Sequence, residues 1–215
     1  MALVEQSQLI VTRSQAGVWS IRPRSGRNYR TPVVPKSYRP VYGSNTLDLE
    51  FSGYRSASQR YQVTLGVINA RGMDEMDGHL TSLVDECDTL KRFIIRWPQL
   101  ANTSNGVATA TVNTLANIGA GSLMFRSGTT APRVGRLIQF EQYGKLYRVQ
   151  FAPSGAQSAA YSVGVYPNLI KAVPANATVN NDVDGYVRLV QSPAITMSNG
   201  ILYEMTMFVR EALRA

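Results

Sequence analysis

The segment from Val134 to Phe151, VGRLIQFEQYGKLYRVQF, decides the fold of this chain. Apolar residues lead into a glycine-bearing turn at Gly144 and resume after it, which predicts a β-hairpin. The apolar positions are Leu137, Ile138, Phe140, Leu146, Val149 and Phe151. Because the segment contains no arrangement of a nucleophile or of metal ligands, we interpret the hairpin as a framework element.

The composition indicates a globular chain with a weakly charged surface. At 215 residues it can form one large domain or a domain with an insertion, and a globule of this size buries roughly 70% of the surface of its unfolded chain. Hydrophobic residues make up 44% and charged residues only 17% of the sequence. A surface rich in Ser, Thr, Asn and Gln favours packing against copies of the same chain.

The single cysteine, Cys87, excludes an intrachain disulfide and is typical of a reducing compartment. It lies on the apolar side of a predicted helix, so we expect a buried, inert thiol. The N-terminal residues lack the features of a signal peptide. No run approaches the roughly 18 apolar residues of a membrane span, so we expect synthesis in the host cytoplasm and no membrane anchor.

Residues 22–43 form a basic segment with no acidic residue up to Tyr42 and with four prolines. The prolines exclude a helix or a central strand, so we predict an extended basic arm or loop. Arginine and tyrosine are favoured in protein interfaces, and we predict that the segment contacts a neighbouring subunit. Nucleic-acid binding is the alternative. The candidate interface residues are Arg22, Arg24, Arg27, Tyr29, Arg30, Lys36, Tyr38, Arg39 and Tyr42.

Most of the remaining pattern is typical of β-strands. Alternating or bulky runs predict strands at 8–12, 18–22, 46–51, 61–67, 186–190 and 202–209. The last run carries large residues on both faces, so we predict a central or interface strand.

One amphipathic helix is predicted at about residues 74–93. Apolar residues recur at spacings of three and four from Met73 to Leu90. Acidic residues occupy the first turn while Lys91 and Arg92 occupy the last, which complements the helix dipole. Pro98 limits its extent.

The sequence offers little for catalysis. His79 is the only histidine, and one Cys and one His on a helix do not supply a zinc site. Gly119-Ala120-Gly121 lacks the residues of a phosphate-binding loop, so we interpret it as a connection between strands. We therefore expect no enzyme activity, no catalytic residue, no cofactor, no metal and no small-molecule substrate.

The order of these elements resembles the distal tail or baseplate hub proteins of tailed bacteriophages, in their short forms. The resemblance covers most of the chain from about Thr46 onward. It begins with a strand pair (47–51 and 61–67) and the helix at 74–93, which leads into a strand ending at Trp97-Pro98. An inserted β segment and a closing strand that ends at 208–211 follow.

The resemblance implies a mainly β fold, a β-sandwich with one flanking α-helix and an inserted small β subdomain. Residues 1–100 and 180–215 would form the sandwich and residues 101–179 the insertion. Its function would be structural: a ring, commonly hexameric, at the distal end of the tail tube around the DNA channel, located in the virion tail. Its partners would be copies of itself and tail tube, tip or hub proteins, with DNA passing through the ring. The segment 22–43 has no counterpart in the family.

Three other interpretations stay open at this point. A tail-tube, tail-terminator or other β-sandwich virion subunit would share the fold and polymerise differently. A basic nucleic-acid-binding module would use the segment 22–43. A hydrolase that depends on His79 is the weakest of the three.

Overall fold

The structure, a computed structural model, describes residues 9–23, 36–38, 41–45, 51–55, 59–69, 82–87, 91–97, 110–141, 144–154, 157–180, 183–198 and 202–212. Within these residues the chain is mainly β, with one short helix, α1 (Ser82–Glu86). The predicted β-sandwich class with a flanking helix is confirmed. The strands are β1 (Leu9–Arg13), β2 (Trp19–Pro23), β3 (Lys36–Tyr38), β4 (Val41–Asn45), β5 (Phe51–Arg55), β6 (Arg60–Asn69), β7 (Phe93–Arg96), β8 (Ser122–Phe125), β9 (Leu137–Ile138), β10 (Tyr147–Phe151), β11 (Tyr161–Tyr166), β12 (Asp184–Leu189), β13 (Ala194–Ser198) and β14 (Leu202–Glu211).

Three sheets organise the described strands. The large sheet has the order β1-β2-β7-β12-β14-β6-β3, and β13 also pairs with β14. Its neighbours are antiparallel except for β2 and β7, which are parallel. A smaller sheet has the order β8-β11-β10-β9, and β4 pairs with β5 in a two-stranded sheet.

The hairpin predicted from Val134 to Phe151 is confirmed. Strands β9 and β10 are antiparallel, with Ile138 opposite Tyr147. At the turn the Gly144 amide donates a hydrogen bond to the Glu141 carbonyl oxygen at 3.0 Å. Alternation of buried and exposed residues in β10 directs one face of the strand into a core.

Strand β14 lies inside the large sheet, as its two bulky faces indicated. Its residues 203–210 pair with β6 on one side. On the other side its first half pairs with β13 and its last residues pair with β12. This position aligns four inward side chains in one row: Met205, Met207, Val209 and Glu211.

The predicted helix at 74–93 is confirmed only for Ser82–Glu86, and its predicted end is wrong. Phe93 begins β7 and pairs with Val187 of β12. The aromatic and β-branched run Phe93-Ile94-Ile95 favours a strand buried on both faces, and this tertiary pairing overrides the helical spacing. Residues 74–81 and 88–90 lie outside the described residues.

Buried side chains form two hydrophobic cores. The first joins the large sheet to α1 and includes Trp19, Tyr61 and Trp97. The second consists of residues between Ala110 and Val179. We call residues 110–180 the inserted unit, and β1–β7, α1 and β12–β14 the body. The cores divide near the sequence-derived boundaries at 100 and 180, although Leu137 and Leu146 of the inserted unit pack in the first core.

Candidate functional site: a buried ionic junction and the assembly surfaces

Glu211, the last residue of β14, connects the body to the inserted unit. Its side chain is buried, and it accepts hydrogen bonds from the backbone amides of Tyr61 at 3.0 Å and Leu146 at 2.9 Å. It also forms a salt bridge with the ammonium group of Lys145, which is buried too. One carboxylate of the body therefore binds both a strand of the body and the hairpin of the inserted unit.

Lys145 is held by further contacts. Its Nζ donates a hydrogen bond to the Gln59 carbonyl oxygen at 2.8 Å and lies 5.2 Å from the centre of the Tyr61 ring. Burial lowers the pKa of Lys145, and the Glu211 carboxylate counteracts this effect. A lysine with a lowered pKa can act as a general base. Here a carboxylate, a carbonyl and a ring face surround its ammonium group, an arrangement that fixes the hairpin.

A second set of contacts fastens the hairpin where β12 begins. The backbone of Gln139 exchanges two hydrogen bonds with Asn180, at 3.0 and 2.8 Å. Its side-chain Nε2 donates to the Asp184 carbonyl oxygen at 2.9 Å. The Tyr61 hydroxyl donates to the Tyr166 carbonyl oxygen at 2.8 Å, and burial raises the pKa of Tyr61. The inserted unit is thus joined to the body through buried polar bonds as well as apolar packing.

The structure places four of the nine candidate interface residues, and all four lie in strands paired within the same chain. Arg22 is in β2, where its guanidinium group contacts Asp184 at 2.7 Å. Lys36 and Tyr38 are in β3, an edge strand that pairs with β6. Tyr42 is in β4.

These described parts of the segment 22–43 are sheet strands, whereas an extended basic arm or loop was predicted for the whole segment. The proline argument holds for β3, because it lies at a sheet edge. The other five candidates, which are outside the described residues, are Arg24, Arg27, Tyr29, Arg30 and Arg39. The interface role of all nine stays a prediction.

Exposed apolar side chains mark a surface that sequence reasoning missed. Six large hydrophobic residues of the inserted unit are exposed, with exposed fractions from 39% to 69%. They are Leu115, Ile118, Met124, Val134, Phe151 and Ile170. The Gly119 amide donates to the Leu169 carbonyl oxygen at 2.7 Å, which brings the segments of Ile118 and Ile170 together.

Phe151 is the exposed residue whose position is most closely defined. It lies opposite Gly164 of β11, and a Cβ on Gly164 would come within 2.1 Å of the Phe151 ring. The ring therefore covers the bare backbone of β11. The sequence did not indicate that Phe151 is exposed, because a phenylalanine at the end of a hairpin strand predicts a core residue.

The structure places two of the chemically reactive residues of the predicted helix, Cys87 and Glu86. No group of three or more His, Cys, Asp or Glu side chains in the described part of the chain could hold a metal ion. Cys87 is buried as expected, and burial raises the pKa of its thiol to about 11. Glu86 accepts a hydrogen bond from Trp19 Nε1 at 3.0 Å and pairs with Arg13 at 2.9 Å. His79 lies outside the described residues.

Sequence reasoning did not identify Lys145 or Glu211. Lys145 follows the turn glycine, where a charged residue normally faces water. Glu211 offered a signal, because it continues the inward positions of β14 after Met207 and Val209. A carboxylate at such a position indicates a buried partner.

Comparisons with known proteins identify no family for this chain. No protein-family model matches the sequence, and a search of curated proteins finds no match. In the part of the chain that the structure describes, no helix has the length and apolar composition needed to cross a membrane.

Proposed function

We propose that this chain is a structural, non-enzymatic virion protein of a phage tail that forms an oligomeric adaptor ring at the distal end of the tail tube, around the DNA channel. The order of elements supports the proposal, since an inserted β unit interrupts a β-sandwich between β7 and β12. Copies of the chain are its main partners, in a ring that is commonly six-fold, and tail tube, tip or hub proteins contact its two sides.

The observation that carries the proposal is the exposed apolar surface of the inserted unit. Ile118 and Ile170 are 69% and 46% exposed, and a backbone hydrogen bond brings their segments together. Contiguous exposed apolar residues mark protein contact sites. A closed ring needs heterologous contacts, in which two different surfaces of each subunit meet. The inserted unit supplies an apolar surface, and the edge strands β1 and β3 of the body supply another of different chemistry.

The buried junction gives such a ring a rigid subunit. Lys145, Glu211, Gln139 and Tyr61 hold the inserted unit on the body through the bonds described above. Because a ring closes only when every subunit presents its two surfaces at the same angle, a fixed junction favours closure over open filaments.

Size-exclusion chromatography with light scattering, followed by electron microscopy, tests this proposal. We expect rings from the purified chain, and monomers from the variant Ile118→Ser with Ile170→Ser. The neighbouring pair Asn117→Ser with Lys171→Ser is the control, because both residues are exposed and polar, and we expect it to form rings.

A wild-type chain that is strictly monomeric at micromolar concentration and does not add to tail tubes would refute the proposal. Tubes or shells in the micrographs would instead favour a tail-tube, tail-terminator or other virion subunit.

A further inference from the structure

One face of the large sheet does not contribute to the first core. In β6 and β14 the residues Tyr61, Val63, Met207 and Val209 are buried, whereas their chain neighbours are partly exposed on the opposite face. Strand register extends this opposite face across β3, β12, β7 and β2. We call it the basic face. The charged residues that strand register places on it are Arg22, Lys36, Arg60, Arg92, Arg96, Asp184, Arg188, Glu204 and Arg210.

The charge of this face is strongly unbalanced. Seven cationic residues against Asp184 and Glu204 leave a net charge of +5 among its described residues, compared with +8 for the whole chain. Asp184 is engaged by two of the arginines, at 2.7 Å from Arg22 and 3.2 Å from Arg96. The described face is therefore strongly positive, and it favours an anionic partner.

Arg188 and Arg210 show the excess of positive charge within a single strand pair. They are direct cross-strand neighbours in β12 and β14. Like charges directly opposite each other destabilise an antiparallel pair. An anionic group bound between them would remove this repulsion. Arg188 is exposed, so that such a group can reach it.

Two of the three aromatic residues that register places on the described face are covered by cations, and Phe208 is the third. The Tyr38 ring is covered by the Arg210 guanidinium group at 4.0 Å, and the Tyr186 ring by that of Arg92 at 5.1 Å. Rings that stack on guanidinium groups are not available for stacking with unpaired bases, which single-stranded nucleic acids require. Six of the seven cations are arginines, whose planar forks match phosphate groups.

We propose that the basic face binds the phosphate backbone of duplex DNA, without sequence preference. Its placement at the wall of a DNA channel rests on the proposed function, whereas the binding itself does not. An anionic membrane is the less favoured partner, because the large hydrophobic residues that the structure shows to be exposed lie on the inserted unit and not on this face.

Fluorescence anisotropy with a short labelled duplex tests the proposal. The variant Lys36→Gln with Arg188→Gln removes two exposed charges at separate strands of the face. Between about 50 and 200 mM salt we expect the logarithm of wild-type affinity to fall linearly with the logarithm of salt concentration. The variant should bind more weakly at every salt concentration, and its slope should be shallower by about two.

The matched control is Arg133→Gln with Lys171→Gln, which removes the same charge from exposed positions of the inserted unit. It should keep the wild-type slope. An equal loss in both variants would reduce the binding to a net-charge effect and overturn the proposal. Wild-type affinity in the Lys36 and Arg188 variant, or binding to phosphatidylserine vesicles without binding to duplex DNA, would overturn it as well.

Light scattering on the same samples separates the two proposals. Oligomeric rings that do not bind the duplex would refute only the proposal that the basic face binds DNA. A monomer that binds the duplex through this face would refute the ring alone.

Discussion

Lys145→Met would leave the Glu211 carboxylate buried, with two backbone amide donors and no cation. In the folded protein the carboxylate is 3% exposed, and its hydrogen bonds to the Tyr61 and Leu146 amides would remain. Removing one partner of a buried ion pair lowers the free energy of unfolding by about 3–5 kcal/mol. For a chain of this size that loss corresponds to a fall in Tm of about 6–20 °C.

Urea unfolding followed by tryptophan fluorescence measures this effect, because Trp19 and Trp97 are both buried in the first core. The control is Lys171→Met. Lys171 is 72% exposed and pairs with Glu141 at 3.5 Å, and an exposed pair contributes at most about 1 kcal/mol.

A double variant separates the ion pair from the packing of its side chains. Lys145→Met with Glu211→Gln removes both charges, so its loss should be smaller than the sum of the two single losses by up to about 3 kcal/mol. Equal stability of Lys145→Met and Lys171→Met would refute the buried junction, since it would mean that water reaches the pair.

Two further predictions concern the cores. Gly185→Ala places a Cβ 2.5 Å from Nε1 of the buried Trp97, so calorimetry should show that the free energy of unfolding falls by about 1–3 kcal/mol. Gly164→Ala should lower it less, because the half-exposed Phe151 ring can rotate away. Equal losses for the two variants would contradict this account. The folded Cys87 thiol keeps its proton to about pH 11, because burial raises its pKa, while the unfolded thiol ionises near pH 9. The free energy of unfolding of the wild type should therefore fall relative to that of Cys87→Ala as the pH rises between these values. Parallel curves of unfolding free energy against pH, measured by urea titration, would contradict this prediction.

The hairpin at Val134 to Phe151 and strand β14 could be predicted from sequence because local alternation determines both. The bulky run at 202–209 predicted a central or interface strand, and β14 does lie between β6 and the pair β12 and β13, although its face with Thr206 and Phe208 is partly exposed. The end of the helix could not be predicted this way. The expected strand ending at Trp97 is present as β7, but Phe93 fits either period, and its pairing with Val187 of β12 places it in the strand.

The buried junction depends on contacts that no local pattern contains. Lys145 and Glu211 are 66 residues apart in the chain. A lysine beside a turn glycine is indistinguishable in sequence from a solvated one, and only tertiary packing makes it buried. The inward row of β14 could have marked Glu211, although not the identity of its partner.

The basic face was only partly visible in the sequence. Arg22 and Lys36 belong to the basic segment 22–43, whereas Arg60, Arg96, Arg188 and Arg210 are scattered over separate strands and form no charge cluster in the sequence. The segment 22–43 attracted attention because it carries many basic residues and no acidic residue up to Tyr42. Strand register brings scattered charges together, and register requires the sheet.

The way in which the chain leaves and re-enters the body has an architectural consequence. Strands β7 and β12 are antiparallel neighbours, and at the insertion point the Trp97 amide donates to the Val183 carbonyl oxygen at 2.9 Å. The chain therefore enters and leaves the inserted unit through two paired strands. A short turn could connect β7 directly to β12 without interrupting the sheet. However, Lys145 and Leu146 of the inserted unit pack against residues of the body. A different unit inserted at this position would therefore have to supply its own partners for the Glu211 carboxylate.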